Sequence, residues 1–379
     1  MIFLEEIIMK NNQDWAPTTA EYYHRLKQIS PNYSLDNFKR NADNILVNKK
    51  SLAVEDTLDS YTINFDKSRH GHHVARSLAT ERANNDTSSA EAQKALAERE
   101  TNGCYDLDLS YNVEKNEIDI KDAVLYQYSF KNDALKKPAF IYFHGGNFYG
   151  NTPDNTENFG KKLAELMQGE VFNVDYPRTP EADVDSLTSA AWHAVEYVVK
   201  HAEELHVEPS RIFVTGDSAG GNIAAVMSNF DIQKGTGYIK GQVLIYPMLD
   251  IETVPNKQKL PSMDEFATKL IEDMDDENIE SLTTLKAIYP AKHQMSDAII
   301  SPINTSEAEL TKVPRTMVVA AEYDCLTPQG YTYATNVAKT HDDVDYIWYA
   351  GMMHGFVTRM GIIPQAEDLA REMALWAKR

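Results

Sequence analysis

The sequence predicts an α/β fold in which a mostly parallel central sheet carries helices on both faces. Short β-branched and aromatic runs alternate with helical patterns along most of the chain, which is typical of parallel sheets. The stretch Gly-Asp-Ser-Ala-Gly at 216–220 lies between a strand-like run and a small-residue helical pattern. The 379 residues are 42% hydrophobic, enough to bury a large core.

Two antiparallel strands are predicted to lead the sheet. Alternating segments occur at 118–120 and 124–128, and alternation with period two is typical of strands. Apolar residues recur at helical spacing from Leu187 to Leu205, which predicts a crossover helix packed on the sheet. The parallel strands are predicted at 139–143, 171–174, 211–215, 242–246, 316–321 and 345–349.

The domain organisation follows from changes in composition. We predict a core at residues 105–379 with an acidic helical segment inserted at about 251–297. Residues 1–104 are more polar and are predicted to form an N-terminal helical segment. The His-Gly-His-His cluster at 70–73 lacks a second ligand set, so we interpret it as a surface loop and predict no metal site.

Ser218 is the candidate nucleophile. A serine at a sharp strand-to-helix turn needs nearly side-chain-free residues two positions before and after it, and glycine occupies 216 and 220. The bare pattern arises by chance in about one chain in ten of this length, so an inert serine in a glycine-rich turn is the alternative. The strand before Ser218 and the helix after it favour a nucleophile.

A serine hydroxyl needs a histidine base, and the histidine needs a carboxylate that fixes its tautomer. Where the nucleophile is a serine in a glycine-flanked strand-to-helix elbow, the chain order is serine, acid, histidine. Of the three histidines after Ser218, His354 follows the strand 345–349 at the sheet edge where ligands bind. His341 precedes that strand, and His293 lies in a polar stretch. We therefore predict His354 as the base.

Asp324 is the predicted acid. The run 316–321 is typical of a buried strand, and both Glu322 and Asp324 follow it. We predict Asp324 as the acid of the triad and keep Glu322 as the second candidate. Two alternatives stay open: Asp324 as the cap of a helix that begins near Thr327, and His354 as a structural histidine. Three residues in the required order, each just past a strand, favour catalysis.

A second glycine-containing loop, His-Gly-Gly-Asn at 144–147, follows the strand 139–143. Acyl transfer needs N–H donors aimed at the developing oxyanion, although a plain turn is the alternative for this loop. We expect His144 to shape the loop, because it precedes the serine, and we rank Gly145 below the other donors. The candidate donors are the backbone N–H groups of Gly145, Gly146, Asn147 and Ala219.

The sequence resembles the hormone-sensitive-lipase-like group of α/β-hydrolase esterases. The landmarks of that family occur in family order from about residue 138 to the C-terminus. They are His-Gly-Gly-Asn at 144–147, Asp-Tyr-Pro at 175–177, Gly-Asp-Ser-Ala-Gly-Gly-Asn at 216–222, Tyr-Pro at 246–247, Ala-Glu-Tyr-Asp at 321–324 and Gly-Met-Met-His-Gly-Phe at 351–356.

The resemblance implies an α/β-hydrolase fold, carboxylic esters as substrates, and Ser218, Asp324 and His354 as the triad. It also implies that residues 1–104 contribute helices to a cap over the site. One departure is Asn147, where the family commonly carries a third glycine. Because the backbone N–H is the donor, we expect activity to survive this change.

The resulting hypothesis is a serine carboxylesterase that cleaves short- to medium-chain esters through an acyl-enzyme, with no metal or organic cofactor. An amidase or arylformamidase with the same triad is the first alternative. A noncatalytic small-molecule receptor on the same fold is the second, although such receptors lose a triad member.

Composition restricts the partners. The formal net charge of −20, from 37 basic and 57 acidic residues, argues against nucleic acid and anionic membranes. No stretch approaches the ~20 apolar residues of a membrane span. Cys104 and Cys325 are too few for a disulfide framework, and the first residues lack the basic start of a signal peptide, so we expect a cytoplasmic protein. The resemblance also allows a homo-oligomer.

Overall fold

A central sheet organises the chain. The computed structural model describes residues 19–29, 39–43, 45–50, 58–59, 76–101, 109–131, 136–257, 260–261, 263 and 265–379. The strands within these ranges are β1 (Lys39–Arg40), β2 (Leu46–Lys50), β3 (Val113–Asp119), β4 (Val124–Phe130), β5 (Lys137–Phe143), β6 (Glu170–Asp175), β7 (Val207–Asp217), β8 (Gly241–Ile245), β9 (Arg315–Tyr323) and β10 (Val344–Met353).

The order of the strands across the sheet is β1-β2-β10-β9-β8-β7-β5-β6-β4-β3. The neighbours from β2 to β6 pair in parallel. The β1–β2, β6–β4 and β4–β3 pairs are antiparallel. The predicted mostly parallel sheet is confirmed, and so are its two leading antiparallel strands, which are β3 and β4.

Helices cover both faces of the sheet, as predicted. The helices are α1 (Thr19–Ile29), α2 (Leu78–Glu81), α3 (Ala90–Thr101), α4 (Glu157–Met167), α5 (Val184–Lys200), α6 (Ala219–Lys234), α7 (Glu265–Ile288), α8 (Glu307–Leu310), α9 (Thr327–Ala338) and α10 (Pro364–Trp376). Apolar side chains of α5, α6 and α9 belong to one core cluster, and those of α4 and α10 belong to a second cluster on the other face. The crossover helix predicted from Leu187 onwards is α5, in which Leu187, Ala191, Ala194, Val195 and Val198 are buried.

The parallel strands place four loops at one edge of the sheet. Because β5, β7, β9 and β10 run in the same direction, the segments that follow them emerge side by side. These segments begin at His144, Ser218, Asp324 and His354. Residues far apart in sequence are thus brought to one location.

Two helices from outside the core sheet meet above this edge. Helix α7 lies within the acidic segment predicted at about 251–297, and α3 belongs to the N-terminal segment. The two helices contact each other, and Lys94 Nζ of α3 lies 2.7 Å from Glu280 Oε1 of α7.

The N-terminal segment differs from the helical segment expected for residues 1–104. Its described part also contains β1 and β2, and β2 pairs with β10 at the side of the sheet. The sequence Leu-Val-Asn-Lys-Lys at 46–50 shows no clean alternation, so the distant partner strand decides the conformation. The His cluster at 70–73, Cys104 and the first residues of the chain lie outside the described residues.

Candidate active site

Ser218 lies at the sharp turn between β7 and α6. Its backbone has φ 55° and ψ −119°, a strained conformation for any residue with a side chain. A Cβ on Gly216 would lie 2.3 Å from the Gly220 carbonyl oxygen, and a Cβ on Gly220 would lie 1.9 Å from that of Phe143. Both flanking positions therefore exclude a larger residue, and the turn presents the Ser218 hydroxyl at the sheet edge.

His354 connects the serine and the acid. Its Nε2 lies 2.9 Å from Ser218 Oγ and its Nδ1 lies 2.7 Å from Asp324 Oδ2. Because a carboxylate only accepts hydrogen bonds, Nδ1–H donates to Asp324, and Nε2 is left to accept from the Ser218 hydroxyl. The Asp324 side chain is fully buried and that of His354 is 11% exposed. A histidine held between a serine and a carboxylate in this way can deprotonate the serine hydroxyl.

The two acids after β9 have different partners. Asp324 contacts His354 with one oxygen, and its Oδ1 accepts from the Leu326 backbone N–H at 2.9 Å. A turn-forming role and the contact with His354 therefore coexist, because a carboxylate has two acceptor oxygens. Glu322, the reserve candidate, accepts from the Gly351 N–H at 2.7 Å and braces the end of β10.

The electrostatic surroundings of His354 favour its protonated form. Burial opposes a charge on the imidazole, but the charge and hydrogen bond of Asp324, together with the charges of Asp217 and Asp275, raise the pKa of His354 above its usual value. A histidine that must accept a proton works in its neutral form. The neutral form therefore dominates only at a pH above the usual histidine pKa.

The loop after β5 faces Ser218 across a cavity of about 510 Å³, which Gly146, Asn147, Ser218 and His354 all line. Gly146 has φ 120°, and a Cβ there would lie 2.5 Å from the Gly150 carbonyl oxygen. Asn147 has φ 53°, a left-handed conformation that Asn tolerates better than most residues. Asn is therefore compatible with the backbone conformation that this position of the loop adopts.

Gly145 departs from the predicted set of donors. Its backbone N–H donates to Asp217 Oδ1 at 2.9 Å, so it is already engaged inside the protein. The same Asp217 oxygen accepts from the Tyr142 hydroxyl at 2.9 Å. Sequence reasoning missed Asp217, although the residue lies inside the elbow motif, because its partners come from another strand and loop.

His144 is buried beside the loop, as its predicted shaping role requires. Its ring stacks on Tyr176 with ring centroids 4.3 Å apart, and its Nδ1 lies 2.8 Å from the Gly145 carbonyl oxygen. Burial lowers the pKa of His144 to about 3, so the ring is neutral and donates to that carbonyl. The rejected candidate His293 pairs instead with Asp185 at 2.9 Å.

The remaining wall of the cavity comes from the two helices above the sheet edge, whose lining residues the sequence could not identify. Side chains of α3 and α7 face the same cavity as Ser218. They are Glu98, Met274, Glu277, Asn278, Glu280 and Ser281. Among the residues that the structure describes, no group of three or more potential metal ligands occurs, and no helix combines the length and hydrophobicity of a membrane span.

Comparison with known proteins identifies the family. A family model described as the alpha/beta hydrolase fold matches residues 140–358, more than half of the chain. The chain belongs to this family. The matched region of this α/β hydrolase includes Ser218, Asp324 and His354 together with the loop after β5.

Individual relatives of this chain are named as carboxylic ester hydrolases. Carboxylesterase NlhH of Mycobacterium tuberculosis is 30% identical over 231 residues, which cover 61% of this α/β hydrolase and 70% of the relative. Ethyl acetate hydrolase of Pseudomonas putida is 27% identical over 245 residues, which cover 64% of this α/β hydrolase and 74% of the relative. The solved structure of EstE1, a thermostable carboxylesterase cloned from a metagenomic library, has a TM-score of 0.60 at 29% identity and covers 70% of this α/β hydrolase and 89% of EstE1. The resemblance to the hormone-sensitive-lipase-like esterases, a family of carboxylic ester hydrolases, is confirmed.

Proposed function

We propose that this α/β hydrolase is a serine carboxylesterase that cleaves short- to medium-chain carboxylic esters through an acyl-enzyme. One observation carries the proposal: His354 lies within hydrogen-bond distance of Ser218 Oγ and Asp324 Oδ2, at 2.9 and 2.7 Å. Nucleophile, base and orienting acid are thus in contact at the edge of the sheet, in the order that an activated serine requires.

In the proposed reaction Ser218 Oγ attacks the ester carbonyl carbon while its proton passes to His354 Nε2. Backbone N–H groups of Gly146, Asn147 and Ala219 are the proposed donors to the oxyanion of the tetrahedral intermediate. Collapse of the intermediate breaks the bond to the alcohol oxygen, which takes the proton from His354. Water then attacks the acyl carbon while its proton passes to His354. Collapse of this second intermediate breaks the bond to Ser218 Oγ, which takes the proton back from His354, and the acid is released.

Two observations support short to medium chains. The cavity has a volume of about 510 Å³ and is bounded by α3 and α7, which we propose as the cap. Among the described residues that line it, only Met274 has a long, non-aromatic apolar side chain. Ethyl acetate hydrolase, a relative at 27% identity, is named for a short ester. A long alkyl chain would find few apolar partners in this cavity.

The test is hydrolysis of p-nitrophenyl esters from acetate to palmitate by the wild type and by Ser218→Ala. We expect turnover to be highest with short or medium chains and to be lost in the variant, with circular dichroism showing that the variant is folded. Wild-type turnover that persists in Ser218→Ala would contradict the proposed nucleophile. Turnover of a matched amide that equals that of the ester would instead indicate an amidase.

A further inference from the structure

The cavity in front of Ser218 carries an excess of negative charge. Four carboxylates line it, those of Glu98, Asp217, Glu277 and Glu280, against a single guanidinium, that of Arg359, among the described lining residues. Asp217 is buried behind the oxyanion loop, where it binds the Gly145 N–H. The other three carboxylates come from α3 and α7, the helices that bound the cavity.

Glu98 and Glu280, two of the three glutamates, contact side chains that hold them at the cavity. The Tyr149 hydroxyl donates to Glu98 Oε2 at 2.5 Å. Lys94 Nζ lies 2.7 Å from Glu280 Oε1 and 3.8 Å from Glu98 Oε1. The Glu98 side chain is 32% exposed and that of Glu280 is 65% exposed, so both can also contact a molecule that enters from solvent.

The rest of the wall is suited to hydrogen bonding rather than to alkyl chains. Amide and hydroxyl side chains contribute most of the other described lining positions, and these are Asn147, Tyr149, Asn151, Asn278, Ser281 and Thr358. An apolar chain placed against them would remove polar groups from water without pairing them. A short, polar substrate avoids that cost.

We propose that this site selects short esters whose non-reacting end carries a positive charge, such as an ammonium group, through Glu98, Glu277 and Glu280. The proposal rests on the proposed esterase function and specifies the substrate class of the same cavity. The carboxylates attract a cationic ester and repel an anionic one, whereas a neutral ester gains nothing from their charge. Because the charges are partly exposed, the preference weakens as salt screens them.

The test uses two esters of the same shape. Acetylcholine and 3,3-dimethylbutyl acetate have the same shape and differ in the quaternary nitrogen that replaces a carbon. The change in the ratio of their kcat/KM values between variants reports the effect of charge at the cavity, because the difference in leaving-group reactivity is the same in every variant. We expect a ratio of about fivefold in favour of acetylcholine, the size that one partly exposed ion pair supports. The ratio should fall toward one in 0.5 M NaCl.

The test variant is Glu98→Gln/Glu277→Gln/Glu280→Gln, in which we expect the ratio to approach one, mainly through a higher KM for acetylcholine. The matched control is Glu114→Gln/Glu117→Gln/Glu204→Gln, which changes net charge equally at three exposed positions outside the lining of the cavity. The control should retain the wild-type ratio.

The outcomes separate this inference from the proposed function. Hydrolysis of p-nitrophenyl acetate with no preference for acetylcholine, or with a preference that the cavity variant and the control change equally, would overturn the charge selection and leave the esterase function intact. Failure to hydrolyse any of these esters would count against the esterase function itself.

Discussion

Asp217 joins the nucleophile turn to the oxyanion loop through one oxygen. Its Oδ1 accepts both the Gly145 N–H and the Tyr142 hydroxyl, each at 2.9 Å. These two hydrogen bonds fix the position of the neighbouring Ser218 relative to the loop after β5, on the opposite side of the cavity. We interpret Asp217 as a positioning residue, since its contacts are with the protein.

Replacing Asp217 tests that role. Asp217→Ala leaves the Gly145 N–H and the Tyr142 hydroxyl buried without their acceptor, so the loop shifts and we expect kcat to fall by up to about 100-fold. Asp217→Asn keeps an oxygen at the same place and should restore much of the kcat. The measurement is kcat and KM for p-nitrophenyl acetate, and equal losses in both variants would argue against positioning by this oxygen.

The raised pKa of His354 sets the acid side of the pH profile. Since the reaction needs the neutral imidazole, kcat/KM should rise with pH around a midpoint above about 6.5, the usual histidine value. Asp324→Asn removes the charge that favours the imidazolium, so this midpoint should move to lower pH, while kcat falls by as much as about 10⁴-fold. Profiles of kcat/KM from pH 4 to 9 measure both effects.

Glu322→Gln is the control for the pH profile. It removes a carboxylate from the end of the same strand, but Gln can still accept from the Gly351 N–H that Glu322 binds at 2.7 Å. We expect the midpoint of its kcat/KM profile to lie at the same pH as that of the wild type. A shift in Glu322→Gln as large as that in Asp324→Asn would reverse our assignment of the acid.

At the scale of elements, Arg99 attaches α3 to the catalytic core. The buried guanidinium donates to the carbonyl oxygens of Tyr149, at 2.5 Å, and Thr179, at 2.6 Å, and forms two contacts with the Glu181 carboxylate at 2.6 and 2.8 Å. Because Glu98 directly precedes Arg99 in α3 and lines the cavity, these contacts also fix one wall of the cavity. The packing of α3 and the shape of the substrate site thus depend on the same side chain.

Replacing Arg99 should loosen α3 without altering the catalytic residues. In Arg99→Met we expect KM for p-nitrophenyl acetate to rise more than kcat falls, and the free energy of unfolding to drop by about 3 kcal/mol because buried acceptors lose their donor. Steady-state kinetics and urea unfolding provide the two measurements. The control is Arg82→Met, which removes a pair with Asp119 between partly exposed side chains and should cost less than about 1 kcal/mol.

At the scale of the whole molecule, an ion cluster joins the N-terminal strand β2 to the last helix, α10. Lys50 on β2 is buried, and its Nζ lies 2.5 Å from Glu372 Oε1 and 3.4 Å from Asp368 Oδ2 on α10. Burial raises the pKa of Asp368 to about 6, despite the attraction of Lys50. Since β2 pairs with β10, the strand that leads to His354, this cluster connects an N-terminal strand of the sheet with the C-terminal helix α10.

Lys50→Met should therefore destabilise the whole protein. Removing one partner of a buried ion cluster leaves its carboxylates uncompensated, and we expect the free energy of unfolding to fall by about 3 kcal/mol. Lys49→Met is the matched control, because the exposed Lys49 side chain lies over the Trp348 ring at 5.0 Å and should contribute no more than about 1 kcal/mol. Thermal denaturation compares the variants, and equal changes in Tm would contradict a specific role for the buried cluster.

Much of this protein can be read from its sequence because the relevant signals are local. The glycines around Ser218 are required by the backbone turn itself, and β-branched runs such as 316–321 form strands because they suit a buried sheet. Serine, acid and histidine meet because the loops that carry them leave parallel strands at one edge of the sheet. These local rules were sufficient to predict the mostly parallel sheet and to nominate the residues that the structure brings together.

The remaining features depend on contacts between residues far apart in the chain. Lys50 is a polar residue in a weak strand pattern, and only the carboxylates of α10 explain its burial. Gly145 has the same local signature as Gly146, but the position of Asp217 engages its N–H. Glu98 and Glu280 reach one cavity only because α3 and α7 pack together. Local propensity specifies elements, whereas the pairing of buried charges and the shape of a cavity depend on which elements meet in three dimensions.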